Sequence, residues 1–180
     1  FDHFNTELFE NKLPPCLLTL RAASRNYGYH HAGRFISPDG RQLDELGLHP
    51  GFFALRSVEE VLSTLVHEMV HHWQTHAGSP GKSNPHNREW AAKMESIGLI
   101  PSSTGLPGGR KTGRTVSHYI QPDGAFIQAC RKLSAGGFKL QWLDRHIPEP
   151  PEREQVHQQS LREAGIELEL TPSPSTALPD

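Results

Sequence analysis

The sequence predicts an α+β chain in which a short mixed sheet packs on one strongly signed helix and on a second helix that follows it. Three observations carry this. The apolar residues Val58, Val61, Leu62, Leu65, Val66, Met69, Val70 and Trp73 recur at helical period. Short runs of strand-forming residues bounded by Pro and Gly precede them. A chain of 180 residues with 35% hydrophobic content buries one core but not two.

The elements follow in chain order. Asp2, Phe4, Leu8 and Phe9 read as a helix already under way at Phe1, so a longer parent chain is expected. Cys16 to Leu20 follows Pro14-Pro15 and suits a strand bounded by a breaker. Tyr27-Gly28-Tyr29 and Gly33 to Ile36 alternate weakly and end at the turn signal Ser37-Pro38-Asp39-Gly40, predicting two more strands. Glu45 to His49 is a short strand stopped by Pro50-Gly51, and an edge position is expected for it. Ser57-Val58-Glu59-Glu60 then forms a capping box: the Ser oxygen and Glu60 satisfy each other's orphan amides, and Gly78 is available as the stop. Asn84-Pro85 reads as the cap of the next helix, which runs through Trp90, Ala91, Met94 and Ile97 to Gly98. Residues 101–115 read as a loop, 117–120 as a short strand, Phe126 to Leu133 as a helix closed by Gly136-Gly137, and Phe138 to Trp142 as a last strand. This gives a domain over 1–147. Residues 148–180 are rich in Pro, Glu, Gln and Ser and are expected to be a disordered acidic tail with one weak helix around 152–164.

No stretch reaches the ~18 apolar residues of a membrane span, and no basic-then-apolar leader is present, so a cytoplasmic protein is expected. Cys16 and Cys130 form no CxxC pair, which argues against a disulfide framework and a cysteine zinc site. The net charge of -2 hides a split: 82–145 carries 10 basic and 4 acidic residues, and 146–180 carries 2 basic and 7 acidic.

The chemistry lies in His67-Glu68-Met69-Val70-His71. Spacing of i, i+4 puts both imidazoles on one helix face, where two neutral nitrogens can bind one Zn²⁺ at about 2.0–2.1 Å. Glu68 is one residue round, close enough to reach water at the metal as general base. The helix has its own broad apolar stripe, so the core does not need the histidines. A peptidase zinc wants a third protein ligand and an open fourth position. A metzincin would supply glycine and then histidine where Gln74 and Ala77 stand, which excludes that class. His86 and Glu89 both lie near the start of the next helix; Glu89 would make a gluzincin-like site and His86 a three-histidine site. His72 and His76 form a second i, i+4 pair without an evident carboxylate or third ligand, and are expected to be a solvated helix end. His76 is placed to complement the helix C-terminus.

The run Thr64 to His71, a Gly/Pro loop, His86-Asn87-Arg88-Glu89-Trp90 and a helix ending Ile97-Gly98-Leu99 resemble the SprT-like metallopeptidases. The resemblance extends from Asp2-Phe4-Asn5 through Pro101 to Gly105 and Ser117-His118-Tyr119 to Trp142-Leu143-Asp144-Arg145. It implies a zincin-like, minigluzincin-type fold, a zinc cofactor and His86 as the third ligand. Many members carry a cysteine zinc ribbon, which this chain cannot build, so it resembles the smaller bacterial and plasmid-borne members. Eukaryotic SprT-like proteases cleave proteins crosslinked to DNA, and the resemblance therefore implies DNA-associated substrates, with single-stranded or junction DNA as a partner. Arg110, Lys111 and Arg114, in a Gly-rich loop of the basic stretch, are the candidate DNA contacts. Tyr119, His118 and Arg88 are the candidate oxyanion donors.

The expected function is thus a zinc-dependent endopeptidase acting on protein substrates, with the peptide added to a sheet edge. The competing reading is a zinc-stabilised DNA- or protein-binding module, against which Glu68 argues, because structural zinc needs a fourth ligand and not a base.

Overall fold

The computed structural model describes residues 1–22 and 26–148; the expected acidic tail and its weak helix lie outside them, at 149–180. The elements are α1 (Asp2–Phe9), β1 (Cys16–Leu20), β2 (Gly28–Ile36), β3 (Gln42–Leu48), a 3-10 turn (Pro50–Leu55), α2 (Val58–Ala77), α3 (Arg88–Ser96), β4 (Leu99–Ser102), β5 (Ser117–Ile120) and α4 (Ala125–Ala135). This is a mixed α+β architecture with a small sheet, as the patterning predicts.

α2 is the axis of the molecule. Its capping box forms as read: Ser57 N–H donates to Glu60 Oε2 at 2.8 Å, and Glu60 N–H donates to Ser57 Oγ at 3.2 Å. Val66, Met69 and Val70 are fully buried, each burial stabilising by roughly 1.5–3 kcal/mol. α2 packs against β2 and β3 and, on other faces, against α3 and α4. α1 closes the far end on α4, where the Phe4 and Phe126 rings stack with centroids 5.9 Å apart.

The first sheet has the order β1-β3-β2, with β3 parallel to β1 and antiparallel to β2. β3 is therefore central, which corrects the edge position expected for 45–49. Its continuous burial from Asp44 to Gly47 fits a strand paired on both sides. The edge nearest the metal-binding face of α2 is β2. The two short strands expected over 27–36 are one strand broken by a bulge between His31 and Phe35. Gly33 stands in the left-handed region at φ 57° and turns its N–H onto Asp44 Oδ1 at 2.8 Å. Gly28 lets β2 lie on α2, because a Cβ there would come within 2.8 Å of Thr64 Cγ2.

Three other expectations change. β4, unassigned in the sequence, pairs antiparallel with the expected β5. Phe138 to Trp142 is not a strand; it has no pairing partner among the described residues, and Trp142 is 83% exposed. The third helix is capped by Asn87, whose Oδ1 accepts from Trp90 N–H at 3.0 Å, and not by Asn84. This leaves His86 in extended backbone just before the helix. None of the described helices is long and apolar enough to cross a membrane.

Candidate metal centre

His67 and His71 stand one turn apart on α2 with ring centroids 5.1 Å apart, and His86 closes a triangle with them at 5.4 and 4.9 Å. One nitrogen from each of the three lies within 4.8 Å of the other two. The buried Trp90 indole is their common platform, stacked with His71 at 20° and set edge-on to His67 and His86.

The ring orientations are set by what lies behind them. His86 sits in an isolated antiparallel bridge to Gly113, and its Nδ1–H donates to the carbonyls of Gly113 and Arg114 at 3.2 and 3.1 Å. Its Nε2 is therefore the bare nitrogen. On the other side, Ser63 Oγ–H donates to the Glu60 carbonyl at 2.8 Å. His118 Nε2 lies 2.9 Å from Ser63 Oγ and His118 Nδ1 lies 3.1 Å from His67 Nδ1, which turns His67 Nε2 toward His86. His67 Nε2 and His86 Nε2 stand 3.4 Å apart. Two ligands about 2.05 Å from a tetrahedral metal stand about 3.3–3.4 Å apart, which is the spacing of these two nitrogens. Donation of the second ring N–H to a carbonyl or another acceptor is the usual support of a metal-ligating histidine. Burial, with His86 and His30 adding to it, holds His71 down to about 3, so it too presents a neutral imidazole.

Glu68 is buried, and desolvation pushes its carboxyl up to about 8. It borders the same cleft as the three histidines, a space of about 1010 Å³ whose walls include Gly28, Tyr29, Arg56, Ser117 and Tyr119. β2 forms part of the cleft rim through Gly28, Tyr29 and His30.

The predicted site residues fall as follows. His67, Glu68, His71 and His86 come together. Glu89 does not join them: its Oε2 accepts from Gln74 Nε2 and from Ser79 N–H, both at 2.7 Å, and ties the end of α2 to α3. Tyr119 lines the cleft. His118 also borders it, but both ring nitrogens are engaged with His67 and Ser63, so it has no N–H to offer an oxyanion. Arg88 is exposed at the start of α3. Arg110, Lys111 and Arg114 are exposed on the loop after β4, with Lys111 paired to Glu95 at 2.6 Å. Arg114 borders the cleft, which brings one end of this basic loop to the site.

Sequence reasoning missed Ser63, His118's supporting role and the Trp90 platform. It also misread His72 and His76. His72 is fully buried, and both residues direct a ring nitrogen onto Asp44 Oδ2, at 2.7 and 2.9 Å. A carboxylate does accompany the pair, and it comes from β3.

Among known proteins, an uncharacterized protein in the mucB 3′ region of Salmonella typhimurium is 47% identical over 47 residues, 26% of this chain and 64% of that relative's length. No solved structure matches. The model of the SprT-like family matches residues 1–111, the span that holds α2, the bridge residue His86 and Trp90, and the chain belongs to the SprT-like family.

Proposed function

We propose that this chain is a zinc-dependent endopeptidase of zincin-like fold, with His67, His71 and His86 as the metal ligands and Glu68 as general base. The observation that carries the reading is the convergence of His67, His71 and His86 nitrogens within 4.8 Å of one another beside a buried carboxyl at the edge of a cleft. Zinc bound there supplies a Lewis acid that polarises a carbonyl and brings the pKa of water to about 7. The chain's own residues do the rest. His86 is held in the metal-binding tautomer by the Gly113 and Arg114 carbonyls, and His67 is oriented by His118 and Ser63. Glu68 takes a proton from the attacking water and passes it to the leaving amine; a cation bound beside it would favour the carboxylate that burial alone disfavours.

The peptide would lie along the outer edge of β2, which has no partner strand among the described residues and forms part of the cleft rim. Tyr119 is the remaining candidate for an oxyanion donor, since it lines the same space. Proteins bound to DNA are the proposed substrates, with Arg110, Lys111 and Arg114 contacting single-stranded or junction DNA beside the cleft. The two unpaired thiols, Cys16 and Cys130, fit a reducing, cytoplasmic setting.

The test is proteolysis of an unstructured protein by wild-type and Glu68→Gln chains, with and without single-stranded DNA, alongside zinc content. Cleavage by wild type alone, with zinc retained in both, is expected. A DNA-stimulated rate supports the DNA-linked substrate, and an indifferent rate leaves a general peptidase. Zinc binding without cleavage in any tube would replace the peptidase with a zinc-stabilised binding module.

A further inference from the structure

A second cluster of groups able to ligate a metal lies on the sheet-facing side of α2, with His30 also bordering the cleft. His30 Nε2 from β2, His72 Nδ1 and His76 Nε2 from α2 all point at one atom, Asp44 Oδ2 on β3, at 2.9, 2.7 and 2.9 Å. His30, Asp44 and His72 each place a donor atom within 4.8 Å of the other two.

His72 is fully buried, and its Nε2–H donates to the Pro14 carbonyl at 2.9 Å, which turns Nδ1 toward Asp44 Oδ2 at 2.7 Å. Three imidazoles gathered on one buried carboxylate are also a donor set of the kind that divalent cations take. The surroundings match ligand support elsewhere in proteins, since the Pro14 carbonyl orients His72 and the Gly33 N–H holds Asp44 by its other oxygen, Oδ1.

We propose that His30, Asp44 and His72, with His76 closing the solvent side, form a second metal site that takes a zinc-class divalent cation and has a structural role. Three imidazoles and one carboxylate are a tetrahedral, closed donor set, the kind in which zinc holds a fold together and does not act on substrate. The ion would link β2, β3 and α2. Those elements carry the cleft rim and two ligands of the first site, so the second ion would brace the frame on which the first is built.

The experiment uses the whole chain, stripped of metal and titrated with zinc, with bound metal counted by mass spectrometry of the element. Two ions per chain are expected for wild type. His71→Ala should retain one, and its melting temperature should rise with added zinc by mass action. His76→Gln lies at the exposed rim, where folding is least at risk; it should weaken the second ion at least tenfold while leaving helical circular dichroism and the first ion unchanged. Asp44→Asn in the His71→Ala background should remove the zinc-dependent rise. One ion per chain in wild type, lost entirely in His71→Ala and indifferent to His76→Gln, would overturn the proposal and leave a hydrogen-bonded cluster around Asp44.

Discussion

Two i, i+4 histidine pairs sit on the same helix, 67/71 and 72/76, and they meet opposite surroundings. The first pair faces a cleft, rests on an indole and is backed at His67 by His118 and Ser63. Among the described residues the acids lining that cleft are Glu60 and the buried Glu68, both on α2 itself. The second pair faces the sheet and wraps a carboxylate from β3 that burial would raise but that Gly33 N–H and three imidazoles hold well below the usual carboxylate range. Helical spacing delivers both pairs equally well. What differs is the far side: the first pair borders a cleft, and the second encloses an acid.

If this division is right, a change in one cluster should register in rate and a change in the other in stability. Glu68→Gln is expected to lower proteolysis by about 10³-fold, the scale of a lost general base, with the melting temperature held or raised because a buried carboxyl is replaced by a neutral isostere. Asp44→Asn is expected to destabilise the fold by about 3 kcal/mol, since it leaves buried imidazoles without their acid, as denaturant unfolding would measure. Reversed outcomes would erase the contrast.

Acid should probe the first cluster through its neutral rings. Desolvation holds both His71 and His118 down to about 3, far below the ordinary 6.5. The unfolded chain therefore takes up these protons first as pH falls. The stability that rests on the neutral rings is complete above about pH 6.5 and declines toward pH 3, by about 1.4 kcal/mol per pH unit for each group. Melting of metal-free protein between pH 7.5 and 5 should show this slope, and a flat profile would mean that the rings are not desolvated.

His118→Ala sharpens the comparison further, because it removes the partner of His67 Nδ1 without touching the metal-facing nitrogens. Zinc affinity at the first site, read by chelator competition, should fall by about 10–100-fold. An unchanged affinity would show that His67 keeps its tautomer unaided. The smallest effect is expected from Asn87→Ala. It removes the cap of α3 and a partner of Gln74 at a cost of about 1 kcal/mol, and should loosen zinc a few-fold by letting His86 shift.

Much of the first site was legible because its signals are local. The capping box spans four residues and the His67/Glu68/His71 set spans five, so period and cap chemistry place them with no knowledge of the fold. Spacing alone left His86 as one of two alternatives, and the family resemblance pointed to it: it and Glu89 are three residues apart, and which one joins His67 and His71 depends on where α3 begins. Asn87 caps the helix, so His86 stays in extended backbone and bridges to Gly113, while Glu89 turns toward Ser79. The strand expected at 138–142 failed for a related reason, since alternation describes a face but cannot supply a neighbour to pair with.

By itself, then, the sequence determined the His67-Glu68-His71 motif, the α+β class and the helices, because these follow from contacts among residues a turn or two apart. Only the tertiary structure decided that β3 is central, that β2 is the rim of the cleft, that His118 supports His67 from 51 residues away, and that Asp44 reaches His72 across 28. Contacts at such separations arise when the chain closes on its core. The apolar surface that drives this closure has no direction of its own, and no local pattern records which polar groups it will bring together.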